Sequence, residues 1–167
     1  MRLHICGTSA KWSAVSAASN PRDVGEKVRR KIAEVESDAP GSICKMLHFQ
    51  FDHYDPENND FTMTCETMPW MQNSMGTLHG GLCATILDQA MGYVTHCLKT
   101  GEGFAPTIQL KVDYHRPLHP GERVIVKVHV VSVTRSLVNL TAEAFQATRP
   151  DKICLSGSGL FFCKTKG

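Results

Sequence analysis

One stretch of the sequence decides the fold: residues 80–98, which read GGLCATILDQAMGYVTHCL. Its apolar side chains recur at helical spacing and cover most of the circumference of a helix. A helix that is apolar nearly all round is a buried helix, and the Thr-Gly-Glu-Gly run at residues 100–103 ends it. Because a sheet on one side alone would leave apolar surface in water, this helix predicts a sheet that curls around it.

The segments on either side of this helix supply the strands. Residues 43–51 alternate along a strand, residues 52–60 form an acidic turn, and residues 61–67 form a second strand, which together predict a hairpin. After the helix, four runs have strand character and short turns between them: residues 108–114, 123–133, 137–148 and 152–164. Short turns favour antiparallel neighbours, so the order of elements predicts an α+β domain.

The first 40 residues are predicted to be an N-terminal extension of that domain, which itself spans residues 41–167. Residues 24–36 have apolar side chains at helical spacing and predict a short amphipathic helix that covers the main domain, stopped by Ala-Pro-Gly at residues 39–41. Residues 1–20 lack the apolar run of a secretory signal. We expect a disordered or artificially added leader there, with an organelle-transit segment as the alternative.

Composition narrows the class of protein. The chain has 167 residues, of which 42% are hydrophobic, and this suits one compact domain with a core. The formal net charge is only +2 and there is no run of about 18 apolar residues, so nothing points to nucleic acid or a membrane as a partner. The seven cysteines include no Cys-x-x-Cys pair, and they predict buried thiols in a reduced, cytoplasmic protein.

The segment that carries chemistry is residues 73–88, NSMGTLHGGLCATILD. Gly80 and Gly81, at the start of a buried helix, each cost about 1 kcal/mol of helix propensity relative to alanine, and they leave the backbone open to close approach. Unpaired N–H groups and the positive end of the helix dipole suit a carbonyl oxygen that gains negative charge. The alternative is that both glycines only ease a tight turn.

Asp88 lies in the middle of the predicted buried helix. No Lys or Arg occurs between residues 73 and 98, so its carboxylate is either paired from elsewhere or kept for chemistry. Eight residues of helix place it about 12 Å from Gly80, too far for both to touch one carbonyl within one chain. Small residues at Ala84 and Gly92 on the same stripe let a second backbone approach, which predicts a two-fold dimer with Gly80 of each chain beside the other chain's Asp88.

The motif Asn73-x-x-Gly-Thr-Leu-His79-Gly80-Gly81, with Asp88 after it, resembles the motif of the hotdog-fold acyl-CoA thioesterases. The subgroup it resembles contains the phenylacetate-degradation (PaaI-like) thioesterases and the mammalian thioesterase superfamily members, and the resemblance spans about residues 43–164. It implies an α+β hotdog fold, with a long central helix wrapped by a curled antiparallel sheet. It also implies a homodimer or a homotetramer (a dimer of dimers) that hydrolyses an acyl-CoA thioester to free acid and coenzyme A.

The resemblance implies roles for individual residues. Gly80 offers its backbone N–H to the thioester carbonyl with His79 beside it, although a histidine at a helix start often only caps the turn. Asp88 of the second subunit acts as the nucleophile or as the general base for water. Asn73 helps to place the water or the thioester, and Gly81 joins the substrate-binding residues. No cofactor is expected, because coenzyme A is part of the substrate.

Thr107 stands where the family has a serine that orients the water. Strict alternation puts it on the face of Gln109 and Lys111, so its hydroxyl reaches the site only if the strand start is bulged. Arg116 and Arg135 fall in turns and are candidates to bind the phosphates of coenzyme A, with plain solvated charges as the alternative.

Two further groups of residues have open interpretations. Trp70, Met71 and Met75 are candidates to shape the acyl pocket, or they belong to the dimer core. His115 and His119 are four residues apart, but the proline between them forbids a helical metal pair, so no metal site is expected.

Three rival functions remain open at this point. A hotdog protein could bind acyl-CoA without turning it over, although a pure binder gains nothing from the Asp88 carboxylate. A hotdog dehydratase or hydratase would need a catalytic histidine with a downstream acid, a pattern that we do not find. An unrelated α+β dimer could carry the glycines and the carboxylate for structural reasons alone.

Overall fold

The computed structural model describes residues 21–38, 41–98 and 105–163. Within these ranges the elements follow in the order α1 (Pro21–Asp38), α2 (Ile43–Met46), β1 (Gln50–Asp55), β2 (Asp60–Glu66), a 3-10 turn (Pro69–Met71), α3 (Gly80–Leu98), β3 (Thr107–Tyr114), β4 (Arg123–Val133), β5 (Leu137–Gln146) and β6 (Arg149–Phe162). The leader predicted at residues 1–20 and the stop signals predicted at residues 39–40 and 100–103 lie outside the described residues.

The six strands form one antiparallel sheet in the order β1-β2-β4-β5-β6-β3, so β1 and β3 are its edges. Helix α3 contacts every strand from β2 to β6, because the sheet curls around it. The strands alternate as predicted: Val126, Val128 and Val130 of β4 are buried toward α3, while Lys127 and His129 between them are exposed. The predicted α+β fold, with a long helix wrapped by a curled antiparallel sheet, is therefore confirmed.

Two glycines of β6 let α3 lie close against the sheet. A Cβ atom on Gly157 would stand 2.6 Å from the carbonyl oxygen of Lys111 in β3 and 3.0 Å from Leu87 of the helix. A Cβ atom on Gly159 would stand 3.0 Å from the sulfur of Met91. Both glycines thus allow a close approach that no other residue permits, and they fix the height of α3 above β6 and β3.

The predicted amphipathic helix exists and is slightly longer than residues 24–36. Its apolar side chains Val24, Val28 and Ile32 are each at most 4% exposed and belong to the same core as α3. The opposite face carries ion pairs such as Lys27 with Asp23, whose charged atoms are 2.8 Å apart. Helix α1 contacts both α3 and β1, so it covers the main domain as expected.

The predicted strand at residues 43–51 is wrong for its first half. Residues Ile43–Met46 form a short helix, because the side chain of Ser42 accepts a hydrogen bond from the N–H of Lys45 and so caps it. His48 then takes a positive φ of 45°, which no strand contains. The strand starts only at Gln50 and continues through part of the predicted acidic turn to Asp55.

The hairpin of β1 and β2 and the four later strands match the prediction in number and order. None of the helices in the described part of the chain is long and apolar enough to cross a membrane.

Candidate active site

His79 caps the start of α3. Its ring Nδ1 accepts a hydrogen bond from the N–H of Gly81 at 3.1 Å, and its carbonyl oxygen accepts from Leu82 and Cys83. Because Nδ1 is an acceptor, the neutral ring carries its proton on Nε2. The backbone N–H of His79 donates to the carbonyl oxygen of Met71 at 2.8 Å, which ties the helix start to the 3-10 turn. His79 therefore shapes the first turn of the helix.

The N–H of Gly81 is occupied by this cap, and the role of Gly81 in substrate binding stays a prediction. The N–H of Gly80, by contrast, has no acceptor among the residues that the structure describes. A Cβ atom on Gly80 would meet the ring of Tyr114 only at an ordinary 3.7 Å. Packing within the chain thus leaves room for a side chain at position 80. Because glycine has no side chain, the free N–H at the positive end of the helix stays accessible.

Tyr114 is a residue of this site whose contact the sequence reasoning missed. Its hydroxyl donates to the carbonyl oxygen of Gly80 at 2.8 Å, and the residue is 56% exposed. Partial burial, with a smaller contribution from Cys83, raises the pKa of Tyr114, so the phenol keeps its proton and stays a donor. The only sequence signal was the turn motif from Tyr114 to Pro117, which is too short to identify a contact 34 residues away along the chain.

Asp88 occupies the middle of α3 and is half-buried, less than the full burial that the apolar pattern predicts for one chain. Its Oδ1 accepts a hydrogen bond from the hydroxyl of Thr107 at 2.7 Å. Among the ion pairs of the described residues, none involves this carboxylate. The carboxylate is therefore paired from elsewhere in the chain, by a hydroxyl, and whether it is also kept for chemistry stays a prediction.

The start of β3 is bulged, and a bulge there was the condition under which the hydroxyl of Thr107 was expected to reach the site. Thr107 pairs with Phe161 and Gln109 pairs with Leu160, so one extra residue, Ile108, stands between two consecutive partners. The bulge turns Thr107 toward α3 and leaves Ile108 53% exposed. Strict alternation alone would have aimed the hydroxyl away from Asp88.

Asn73 uses its side chain inside its own loop. Its Nδ2 donates to the hydroxyl of Thr77 at 2.9 Å, and its Oδ1 accepts from the N–H of Met75 at 2.9 Å and of Thr77 at 3.2 Å. These bonds close a small hairpin just before α3. A direct role of Asn73 in placing water or thioester stays a prediction.

The two candidate arginines lie in different turns, Arg116 after β3 and Arg135 between β4 and β5. Arg116 follows the strand, and its Nη1 donates to the carbonyl oxygen of Ile153 at 2.7 Å, on the Gly80 side. Arg135 lies in the exposed turn between β4 and β5, whose Ser136 pairs with Cys163 close to the Thr107 side. The role of either arginine in binding phosphate stays a prediction.

Helix α3 has an open stripe in the single chain, formed by Gly80, Ala84, Asp88 and Gly92, all of them half-exposed, and the neighbouring row of Gly81, Thr85 and Gln89 is also partly exposed. The residues behind it are fully buried, among them Ile86, Leu87, Ala90 and Met91. Along the helix axis about 12 Å separates Gly80 from Asp88. The structure therefore brings together Asp88 with Thr107 and, separately, Gly80 with His79 and Tyr114.

The cysteine nearest to the helix start is not poised as a nucleophile. Cys83 is buried one turn into α3, and burial raises its pKa to about 11. A thiol nucleophile acts as the thiolate, so this side chain is inert near neutral pH. No group of three or more His, Cys, Asp or Glu side chains within the described ranges is arranged to hold a metal ion.

Comparison with known proteins places the chain in a family. The sequence pattern of the thioesterase superfamily matches residues 75–152, which include Gly80, Asp88 and Thr107. Human acyl-coenzyme A thioesterase 13 is 33% identical over 143 residues, which cover 82% of this chain and 86% of that protein.

Solved structures share the fold at lower identity. The E. coli PaaI protein from the phenylacetic acid degradation operon superposes with a TM-score of 0.70 at 18% identity, covering 88% of this chain and 97% of that one. Streptococcus mutans smu.793, solved bound to acetyl CoA, superposes with a TM-score of 0.61 at 19% identity, covering 71% of this chain and 90% of that one. With the capped helix start, the hydroxyl-held carboxylate and the curled sheet, the chain is a member of the thioesterase superfamily, related to acyl-coenzyme A thioesterase 13 and sharing the fold of the PaaI protein.

Proposed function

We propose that this protein hydrolyses acyl-CoA thioesters at a site that two subunits build together. Gly80 of one subunit binds the thioester carbonyl, and Asp88 of a second subunit, held by its own Thr107, activates the attack. The name of the human relative and the acetyl CoA in the streptococcal structure support this class of substrate. One observation carries the proposal: an open N–H and a hydroxyl-held carboxylate lie on the same open stripe of α3.

The distance between the two groups supports a shared site. About 12 Å along one helix is too far for both to reach a single carbonyl carbon. A two-fold axis across the open stripe would place Gly80 of each copy next to Asp88 of the other and produce two equal sites. Small residues at Ala84 and Gly92 would allow the two helices to approach closely.

The exposed edge of the sheet supports the same assembly. Strand β3 is an edge strand beside the open stripe, with exposed apolar side chains at Ile108 and Tyr114. An unprotected edge with apolar side chains is a surface that a second copy can cover. A dimer, alone or as half of a dimer of dimers, would bury this edge together with the stripe.

The proposed reaction follows from these groups. The N–H of Gly80 and the helix dipole stabilise the oxygen that becomes negative as the carbonyl carbon is attacked, an effect typically worth about 3–4 kcal/mol. Water adds its oxygen to that carbon and gives its proton to Asp88, and the carbon–sulfur bond then breaks. Coenzyme A leaves as a thiolate and takes up the proton, so no strong acid is needed.

A second route has Asp88 attack the carbon itself and form an anhydride that water then opens. Single turnover in ¹⁸O-labelled water tests for direct attack with opening of the anhydride at the aspartyl carbonyl. In that route the former Asp88 oxygen leaves in the product and the label stays on Asp88, whereas the general-base route, like opening of the anhydride at the acyl carbonyl, puts the label into the product. Neither route uses a cofactor. Arg116 and Arg135 are the candidates to hold the phosphates of coenzyme A outside the reacting centre.

The test is hydrolysis of a panel of acyl-CoA esters by the wild type and by Asp88→Asn. Asp88→Asn is expected to keep the assembly and lose most turnover, by about 10²-fold or more. Asp113→Asn, which changes an exposed carboxylate on β3 paired with Lys111, is the matched control and should retain activity. Equal rates for Asp88→Asn and the wild type would refute the assigned role, and binding without turnover by the wild type would make the protein an acyl-CoA binder.

Mixed assemblies test the shared site. Gly80→Val and Asp88→Asn are each expected to be inactive, but a verified heterodimer of the two has one intact site and should recover about half of the wild-type rate. Heterodimers that stay inactive would mean that each site lies within one chain.

A further inference from the structure

The loop between the 3-10 turn and α3 is unusually well fixed for its length. Gln72 and Leu78 pair as an antiparallel bridge, and Asn73 closes the tip with both backbone and side-chain hydrogen bonds to Thr77. Gly76 adopts a positive φ of 76° that lets the chain turn. We call residues 72–78 the entry hairpin. The residues at its tip, 74–76, are exposed.

The entry hairpin presents a methionine to solvent. Met75 is 80% exposed, and its own N–H is held by the Oδ1 of Asn73 at 2.9 Å. Trp70, on the preceding 3-10 turn, is 49% exposed. Met71, the third candidate for the acyl pocket, is instead fully buried, so it belongs to the core and not to a pocket. A large apolar side chain on a fixed support is placed to contact something that the single chain does not provide.

The position of the entry hairpin next to Gly80 indicates what Met75 contacts. The hairpin runs directly into His79 and Gly80, and the N–H of His79 is bonded to the carbonyl oxygen of Met71 next to Trp70. No Asp, Glu, Lys or Arg occurs anywhere from residue 67 to residue 87. A surface without charge beside the open N–H suits an apolar group attached to the bound carbonyl, and it does not suit the phosphates of coenzyme A.

We propose that Met75, held in place by Asn73, contacts the acyl chain of the substrate and sets the preference for chain length. The inference rests on the proposed function, because it assumes that a thioester carbonyl binds at Gly80. Asn73 is then a positioning residue: it acts through the hairpin and not on the reacting atoms. Trp70 flanks the same path. Longer aliphatic acyl groups reach Met75, and an acetyl group does not.

The test compares short and long substrates in Met75→Ser. The ratio of kcat/KM for dodecanoyl-CoA to that for acetyl-CoA is expected to fall about tenfold, the effect of removing one buried methionine contact, mainly through KM. Met46→Ser is the matched control, since Met46 is an exposed methionine on α2, at 38%, and should leave the ratio unchanged. An unchanged ratio in Met75→Ser overturns the proposal.

A subunit contact is the competing use of Met75, and the same variant distinguishes it. Loss of activity with all chain lengths together, with dissociation of the assembly in analytical ultracentrifugation, would mean that the methionine packs against a second copy, and it would also overturn the proposal.

The Asn73 variants test whether Asn73 positions Met75. Asn73→Ala should shift the ratio in the same direction as Met75→Ser, while Asn73→Asp, which keeps both acceptor contacts, should restore it.

The experiment separates this inference from the proposed function. The affinity of S-dodecyl-CoA, a thioether that cannot be hydrolysed, measures the acyl contact without turnover. Weaker binding of the thioether by Met75→Ser with an unchanged affinity for free coenzyme A supports the contact even in a protein that does not hydrolyse esters. If Met75→Ser binds the thioether with unchanged affinity and is still active, the protein is a hydrolase as proposed and Met75 has no role in binding the acyl chain.

Discussion

The hydrogen bond between Thr107 and Asp88 gives a sharp test of the candidate site. Thr107→Val replaces the hydroxyl by a methyl group of nearly the same size and removes the donor that lies 2.7 Å from Oδ1 of Asp88. A hydrogen bond to a charged group contributes about 1.5–3 kcal/mol. If that energy orients the carboxylate for attack, kcat should fall about 10- to 100-fold, since 1.4 kcal/mol is about a factor of ten in rate.

The size of the decrease in kcat within that range depends on whether water can replace the Thr107 hydroxyl as a donor to Asp88. Thr107 is exposed in the single chain, so solvent could replace its hydroxyl there and the loss would lie near tenfold. In an assembly that covers β3, water has less access and the loss moves toward 100-fold. Stability should change by less than about 0.5 kcal/mol in either case, because the side chain makes little contact with the core.

The assay follows the loss of thioester absorbance, which avoids any reaction of the protein's own cysteines with a thiol reagent. Thr107→Ser keeps the hydroxyl and is the control, with a rate expected within about threefold of the wild type. Full activity in Thr107→Val would show that the hydroxyl does not orient Asp88. Equal losses in the valine and serine variants would show that loss of the hydrogen bond alone does not explain the effect, because serine keeps the hydroxyl.

Two further predictions concern the helix start and the cysteines. Tyr114→Phe removes the donor to the carbonyl oxygen of Gly80 and should lower kcat about two- to tenfold with little change in melting temperature; an unchanged kcat would show that the phenol does not hold the helix start. Burial raises the pKa of Cys83 to about 11 and of Cys97 to about 12, so both stay protonated until the pH approaches those values. Among the cysteines that the structure describes, iodoacetamide at pH 8 should therefore label half-buried Cys44 before Cys83 and Cys97; rapid labelling of Cys83 in the folded protein, detected by mass spectrometry, would contradict this order.

The long helix was predictable to its first and last residue because several signals coincide there. The apolar pattern of residues 80–98 is continuous, and His79 with two glycines marks its start. The later strands were predictable from alternation, since one face of each packs on α3. The segment at residues 43–51 was not, because its alternation is short and competes with a local cap from Ser42. An edge strand such as β1 carries polar residues on both faces, so its sequence pattern does not show where it begins and ends. Pairing with β2 sets those limits instead.

The candidate site was predictable as residue types but not as contacts. Gly80 and Asp88 stand out because a glycine pair and a carboxylate are costly in an apolar helix. The bond from Thr107 to Asp88 depends on a bulge, and a bulge is a feature of the pairing between β3 and β6 that one strand's sequence does not reveal. The contact between Tyr114 and Gly80 likewise arises only when the strand returns along the helix.

Strand β3 carries both hydroxyls that meet α3, Thr107 at its first residue and Tyr114 at its last. Side chains alternate along a strand, so the loss of one residue between them would turn every later side chain to the opposite face. Tyr114 would then leave the helix start while Thr107 stayed with Asp88. We therefore expect insertions and deletions among the relatives of this protein to fall in the loops that flank β3, and the eight residues of the strand to keep a constant length.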